Sequence, residues 1–255
     1  GLLGVPQLTK AITTAPETAL RFFTPVMRTA DGYRVELELP DGVTADDVVT
    51  KRETLASNLK RNLGQVWPSH DAGKHPGRLV LFVADQELAD RPQRWPLASR
   101  GSTNLFEPQV IGVSAQGDPV SVTLMFESFL VGAVPRMGKT AFLRILALVS
   151  VLDKRAEVHI FDLKGGSDFL ALEPVANVIT GDLADEEDDV LERSLAVLSK
   201  LQVEQRRRYR LMKTLDRSLA PDAKVTSDLA DMADMGLHPI VLIVDECHEW
   251  FEHPD

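Results

Sequence analysis

Gly138, Lys139 and Thr140 combine three things that a polyphosphate needs: a backbone that allows close approach, an ammonium and a hydroxyl. In a phosphate-loop reading, the loop N–H groups and the positive end of the following helix face the phosphates. Lys139 then reaches the β/γ-phosphates and the Thr140 hydroxyl ligates Mg²⁺. About a hundred residues downstream, Asp245 and Glu246 close an aliphatic run. There Asp245 would hold the Mg²⁺ shell and Glu246 would polarise the attacking water of an NTPase.

The candidate nucleotide-contacting residues are therefore Ala133, Val134, Pro135, Arg136, Met137, Gly138, Lys139, Thr140 and Ala141. The candidate metal ligands are Thr140 and Asp245, and the candidate catalytic residues are Lys139, Asp245 and Glu246. The implied cofactors are ATP and Mg²⁺. The strict motif asks for a first glycine at position 133; Gly132 is one residue too early, so Ala133 stands in its place. The plain alternative is an ordinary turn before a helix with an exposed lysine.

These residues need elements to hold them. The apolar run Phe129–Val131 reads as a strand entering the loop, and Ala141–Val149 as an apolar helix leaving it. Val158–Asp162 is a second expected strand, ending in Leu163-Lys164-Gly165-Gly166. In a parallel sheet, ligands gather at the carboxyl ends of the strands, so Asp162 and Lys164 are expected on the nucleotide side. Lys164 could meet a phosphate or pair with Asp162. Ile240–Val244, five aliphatics in a row, suits a parallel strand buried on both faces. Between them, residues 181–215 read as a long helix, acidic at Asp185–Asp189 and basic at Arg206, Arg207, Arg208, Arg210 and Lys213, a polarity that complements the macrodipole. The arginine run reads first as a solvated face, and second as a subunit contact or DNA patch. A short acidic helix is expected at Asp228–Met235.

Upstream, residues 1–30 read as a connector, with at best a short helix at Glu17–Phe23. Tyr33–Leu39 alternates as a half-buried strand. A helix capped by Thr44 with Asp47 is expected to run through Val48, Val49, Leu55, Leu59 and Leu63, followed by a turn-rich stretch to Gly77 and a buried strand at Leu79–Val83. Together these predict a small α/β accessory domain over 31–100. The Pro-rich stretch from Asp90 to Ser102 marks its boundary with a core over 101–255. That core opens with a hairpin of Gln109–Val113 and Val120–Leu124 around Gln116–Pro119. His70, Asp71 and His75 share one loop, but no further ligand lies near, so they read as solvated residues. Cys247 reads as a small half-buried filler, and His248 and His253 imply no triad.

Composition bounds the reading. A net charge of −10 over 255 residues argues against a generally basic nucleic-acid coat, though not against DNA held by a few basic loops. One cysteine excludes an internal disulfide framework and suggests a reducing compartment. No apolar run reaches the ~18–20 residues of a membrane span. Starting at Gly1 rather than methionine, the chain reads as a fragment.

The order of these features resembles the FtsK/SpoIIIE-type DNA translocases. The run from Gly112 to Gly132 is similar to that family's approach to Walker A. Phe161–Gly166 resembles its Asp-Pro-Lys segment, with Leu163 in place of the proline. Arg207-Arg208-Tyr209-Arg210-Leu211-Met212 resembles its Arg-Arg-Tyr-x-Leu-Met helix, and Val244-Asp245-Glu246 its Walker B. The Lys-Gly-Gly form resembles the TraB-type conjugative translocases of filamentous actinobacteria. The resemblance implies an α/β, RecA-like P-loop core of parallel sheet flanked by helices, preceded by the accessory domain. It further implies an ATPase that assembles as a hexameric ring and moves double-stranded DNA at the cytoplasmic face of the membrane. Val134-Pro135-Arg136-Met137 departs from the family's small loop residues. The family's sensor segment, trans-acting arginine and pore loops follow Walker B, so the fragment ending at Asp255 is expected to carry half of a motor site. The alternatives are a secretion ATPase resembling EccC of type VII systems, acting on proteins, and a non-hydrolysing nucleotide-dependent assembly module.

Overall fold

The computed structural model describes residues 3–17, 19–71, 73–87, 90, 95–99, 101–114, 117–134, 136–181 and 187–252. The chain divides into two compact units, Gly1–Arg94 with Gly112–Val120, and Trp95–Ile111 with Ser121–Asp255. Among the described residues no helix is long and apolar enough to cross a membrane.

The first unit begins with α1 (Pro6–Thr14), started by a proline whose missing N–H costs nothing at a helix's first position. Then come β1 (Arg21–Phe22), β2 (Met27–Arg28), β3 (Gly32–Glu38), α2 (Ala45–Val49), α3 (Arg52–Asn58), β4 (Val66–His70) and β5 (Arg78–Ala84). The strands form an antiparallel sheet in the order β1-β3-β5-β4, with β2 also on β3. Alternation along β3 buries Val35 and Leu37, and they pack with Leu39, Leu79, Leu8 of α1 and Ala45 and Val48 of α2.

Thr44 caps α2 as expected. Its hydroxyl accepts the Asp47 N–H at 3.2 Å, while Asp47 Oδ2 accepts the Thr44 N–H at 2.8 Å. The single helix expected as far as Leu63 is instead two short ones. The β-branched run Val48-Val49-Thr50 weakens it, and the Thr50 hydroxyl donates back to the Asp47 carbonyl at 3.1 Å. Lys60, at φ +53, then ends the helical stretch and leaves Leu63 in a separate turn. Two further expectations change. The stretch at Glu17–Phe23 supplies β1 rather than a helix, and β4 lies within the stretch expected as turns. Pro68 is tolerated in β4 because that strand ends the sheet and pairs only with β5.

The hairpin β6 (Gln109–Val113) and β7 (Pro119–Val122) forms where expected, and the division between units passes through it. Residues 91–94, 100 and 116, which the sequence places in the linker and the hairpin turn, lie outside the described residues.

The second unit continues with α4 (Lys139–Val151), β8 (Glu157–Asp162), β9 (Asn177–Thr180), α5 (Glu187–Met212), α6 (Ser227–Asp231), β10 (Ile240–Asp245) and α7 (Glu249–Glu252). Its three strands are parallel in the order β10-β8-β9. Helix α4 covers one face, where Leu143 and Ala147 meet Val158, Ile160 and Ile243. On the other face Val190, Val197 and Leu198 of α5 meet Phe161, Ile179 and Val244. Strand β9 went unread in the sequence, although Val178-Ile179-Thr180 between Pro174 and Gly181 carries β-branched side chains bounded by turn residues.

Two expectations about the core are corrected. No described strand enters the phosphate loop: residues 123–134 form no ladder, and Leu130 is 95% exposed. Apolar character alone does not make a strand without a neighbouring backbone to pair with. Strand β10 is parallel but lies at the sheet edge, so Leu242 stays 38% exposed and only Ile243 of its aliphatics is buried.

Candidate phosphate and metal site

The site starts where α4 starts. Gly138 precedes the helix at φ +90, a backbone that disfavours any side chain, and its carbonyl accepts the Phe142 N–H at 2.9 Å. Lys139 and Thr140 are therefore the first helical residues, with Ala141 exposed behind them. Before Gly138, the Met137 N–H reaches the Val134 carbonyl at 3.1 Å and Arg136 takes φ +66, which makes a tight turn. Ala133 is not among the residues with positive φ, so alanine there meets no backbone penalty. Val134, Arg136 and Met137 are exposed; Pro135 lies outside the described residues.

Asp245 ends β10 and is buried. Its Oδ2 accepts the Thr140 hydroxyl at 2.9 Å, and its Oδ1 lies 3.3 Å from Lys139 Nζ and accepts the Glu246 N–H at 3.0 Å. Glu246 adopts φ +57, a conformation that costs a non-glycine residue about 1–2 kcal/mol. Its Oε1 lies 2.7 Å from Lys139 Nζ and its Oε2 lies 3.2 Å from His248 Nδ1. Burial alone would lower the Lys139 ammonium; Glu246 and Asp245 outweigh it and hold it above its ordinary value. Residues more than a hundred positions apart thus meet in one charge-balanced cluster.

The parallel register brings more groups to the same edge. Asp245 pairs with Asp162 and Asp162 with Thr180, so three strands end level. Burial pushes the Asp162 carboxyl up, the Asp245 charge adds to this, and the Gly166 and Lys164 backbone N–H groups oppose it. The Gly166 N–H reaches Asp162 Oδ2 at 3.0 Å, and the Thr180 hydroxyl donates to the Gly166 carbonyl at 3.0 Å. A Cβ on Gly166 would lie 2.8 Å from Asp162 Oδ2, so a side chain there would displace that carboxylate. Of the two roles open to Lys164, pairing with Asp162 does not occur: backbone groups satisfy that carboxylate and the Lys164 side chain is exposed.

Sequence reasoning missed the roles of Thr180 and His248, which carry no local motif and join the site only through strand register and the turn after Asp245. Cys247 is exposed, not half-buried. His75 pairs with Glu38 at 3.1 Å, and no metal-holding group of three His, Cys, Asp or Glu occurs among the described residues. His253, Asp185 and Glu186 lie outside those residues.

Two members of the arginine run, Arg207 and Arg208, are paired rather than simply solvated, while Arg206 and Arg210 are exposed as expected. Glu204 receives Arg207 Nη2 at 2.6 Å and Nε at 2.7 Å, and Arg208 Nε at 2.7 Å. Arg207 Nη2 also donates to the Gly236 carbonyl at 2.6 Å, and Arg208 Nη1 to the His238 carbonyl at 2.6 Å. Arg207 leads and Arg208 adds, against burial, to hold the Glu204 pKa down at about 2.

Chemically, the loop and helix start can hold an anion. The donor set also fits Mg²⁺. Its oxygens, a hydroxyl and a carboxylate, are hard, and their 2.9 Å separation matches the edge of about 3 Å expected of an octahedron with ~2.1 Å bonds. Phosphate oxygens and water are the usual remaining ligands.

The second unit is thus a mixed α/β unit in which a glycine-started helix faces the carboxyl ends of a three-stranded parallel sheet. No protein-family model and no curated protein matches the chain. Among solved structures it is similar to the pCW3 conjugation coupling protein TcpA in its monomer form with ATPgS. The TM-score is 0.47 and the identity 16%, over 96% of this chain and 65% of that one. The chain therefore spans about two thirds of that protein's length.

Proposed function

We propose that the second unit binds ATP with Mg²⁺ and hydrolyses it. One observation carries this reading: Lys139 and Thr140 at the start of α4 meet Asp245 and Glu246 at the end of β10, at 2.7–3.3 Å. Phosphates occupy the loop N–H groups and the end of α4. Lys139 leaves Glu246 for the β/γ-phosphates, and the freed Glu246 carboxylate orients the attacking water. Thr140 and Asp245 would hold the Mg²⁺, which when bound would supply positive charge beside the phosphates.

The finer reading is a motor that moves double-stranded DNA as a hexameric ring, of the FtsK/SpoIIIE type and near the TraB-type conjugative members. It rests on the sequence resemblance of Phe161–Gly166, Arg207–Met212 and Val244–Glu246. The site residues are those named above, Ala133–Ala141 with Asp245 and Glu246, and the full-length protein works at the cytoplasmic face of the membrane. ATP hydrolysis by the full-length protein, measured with and without duplex DNA, tests both levels. Turnover that DNA stimulates supports the motor. Turnover indifferent to DNA removes the DNA reading and favours a protein-secretion ATPase. Binding without turnover leaves an assembly module.

A further inference from the structure

Strand β10 ends in Asp245 and leads directly into Glu246, yet its aliphatic run specifies its register weakly. Ile240-Val241-Leu242-Ile243-Val244 has no polar alternation. A slip of two residues that brings Ile243 opposite Asp162 would still keep aliphatic side chains on both faces, whereas the opposite slip is excluded by the strand itself, since it would carry Asp245 opposite the buried Ile160. The site does not tolerate the first slip, because strand advance is about 3.3 Å per residue and Asp245 must lie within 2.9 Å of Thr140. Against the first of these slips the aliphatic run offers no barrier, so contacts outside the strand help to choose the register.

We propose that Glu204, Arg207 and Arg208 are positioning residues that lock β10 in register from its entering end and thereby place Asp245 and Glu246. The consequence for turnover rests on the nucleotide-site reading above; the register claim does not. None of the three touches the phosphate loop. They act on the backbone that leads into β10. Glu204 holds both guanidinium groups in fixed orientation, and from there Arg207 grips the Gly236 carbonyl and Arg208 the His238 carbonyl, each at 2.6 Å. The loop is shaped to match. Gly236 sits at φ +58, and a Cβ there would come within 2.9 Å of Arg207 Nη2. From the other side, the Pro239 carbonyl accepts the Glu157 N–H at 2.9 Å and His238 Nε2 lies 3.1 Å from Glu157 Oε2. A two-residue slip would carry the gripped carbonyls about 6–7 Å from arginines whose helix is fixed by its own packing. This gives the arginine motif a role that neither a solvated face nor a nucleic-acid patch supplies.

The test compares the parent chain with an Arg207→Ala/Arg208→Ala variant. Cross-strand amide contacts between β8 and β10, read by NMR without nucleotide, report the register directly. The parent should show Val241 opposite Val158 and Ile243 opposite Ile160, and the variant a shifted or mixed pairing. Native pairing throughout a folded variant overturns the proposal, whether or not the chain binds nucleotide. Should the double variant fail to fold, Arg207→Lys/Arg208→Lys, which keeps charge but loses the planar fork, is read in the same way. Native pairing there at unchanged melting temperature overturns it. In ATPase assays the variants should lose kcat at least tenfold with little change in KM, and lose the Mg²⁺ enhancement of nucleotide binding while keeping Mg²⁺-free binding. A fall in KM-linked binding alone contradicts the assigned role. Failure of the parent to bind ATP would count against the site reading and leave the register result standing.

Discussion

Lys139 is the residue on which the site turns, because two carboxylates compete with any incoming phosphate for its ammonium. At 2.7 Å from Glu246 and 3.3 Å from Asp245 it is well paired before nucleotide arrives. Lys139→Ala removes the proposed phosphate contact and leaves both carboxylates without their cation. A loss of about 2–5 kcal/mol in ATP binding is expected, at least about thirtyfold in Kd, by titration with a fluorescent analogue. Glu246→Gln should keep nucleotide affinity within a few fold while kcat falls by about 10²–10⁴. Equal loss of binding in both variants would contradict these roles. Gly166 gives a prediction of a different kind. Its N–H holds Asp162, and a methyl group there would lie 2.8 Å from that carboxylate. Gly166→Ala should lower the melting temperature, since relieving such a contact costs about 1–3 kcal/mol. The same substitution at Gly132, which has open space around it, should leave the melting temperature unchanged.

Among the elements, α5 does more than cover the sheet. Its C-terminal half carries the Glu204–Arg207–Arg208 cluster that holds the approach to β10. Glu204 has its pKa lowered to about 2 by the arginines, whereas in an unfolded chain it lies near 4.5. A carboxylate whose folded pKa is depressed contributes stability that is present above the unfolded value and lost as pH falls through the folded one. Stability should therefore drop between about pH 4.5 and pH 2 through this group. Glu204→Gln should lower stability at neutral pH and flatten the acid limb, as followed by thermal melts across that window. A parallel acid limb in the variant would show that the pairing contributes nothing there. The sequence shows the amphipathic stripe and the charge polarity of α5. It does not show that two of its arginines are taken up by carbonyls thirty residues downstream, since such contacts exist only once α5 and the turn at Gly236 pack together.

At the scale of the whole chain, an antiparallel unit and a parallel unit follow one another, and the proposed chemistry belongs to the second. The net charge of −10 means that DNA, if it is the substrate, must meet local basic groups against an unfavourable overall field. DNA stimulation of turnover should therefore fall steeply with salt, with log K linear in log salt. Stimulation that is flat between 50 and 200 mM salt would sink the translocase reading even if ATP is hydrolysed.

Local chemistry was legible in the sequence. Gly138-Lys139-Thr140 with a helix after it, the aliphatic run ending in Asp245-Glu246, the strand at Val158–Asp162 and the Thr44–Asp47 cap all follow from short-range rules of backbone freedom, periodicity and capping. What tertiary structure decided is everything that depends on two distant segments meeting. Residues 129–134 join no strand ladder despite their apolar character, because a strand is defined by its neighbour. Pro68 lies in a strand because that strand is at an edge. Thr180, Asp162 and Asp245 end level because parallel register aligns them. The arginine motif reaches its carbonyl partners at Gly236 and His238 only once α5 packs beside the turn that leads into β10. Residue types set which chemistry is available to this protein, and the pairing of strands set which of those residues share a site.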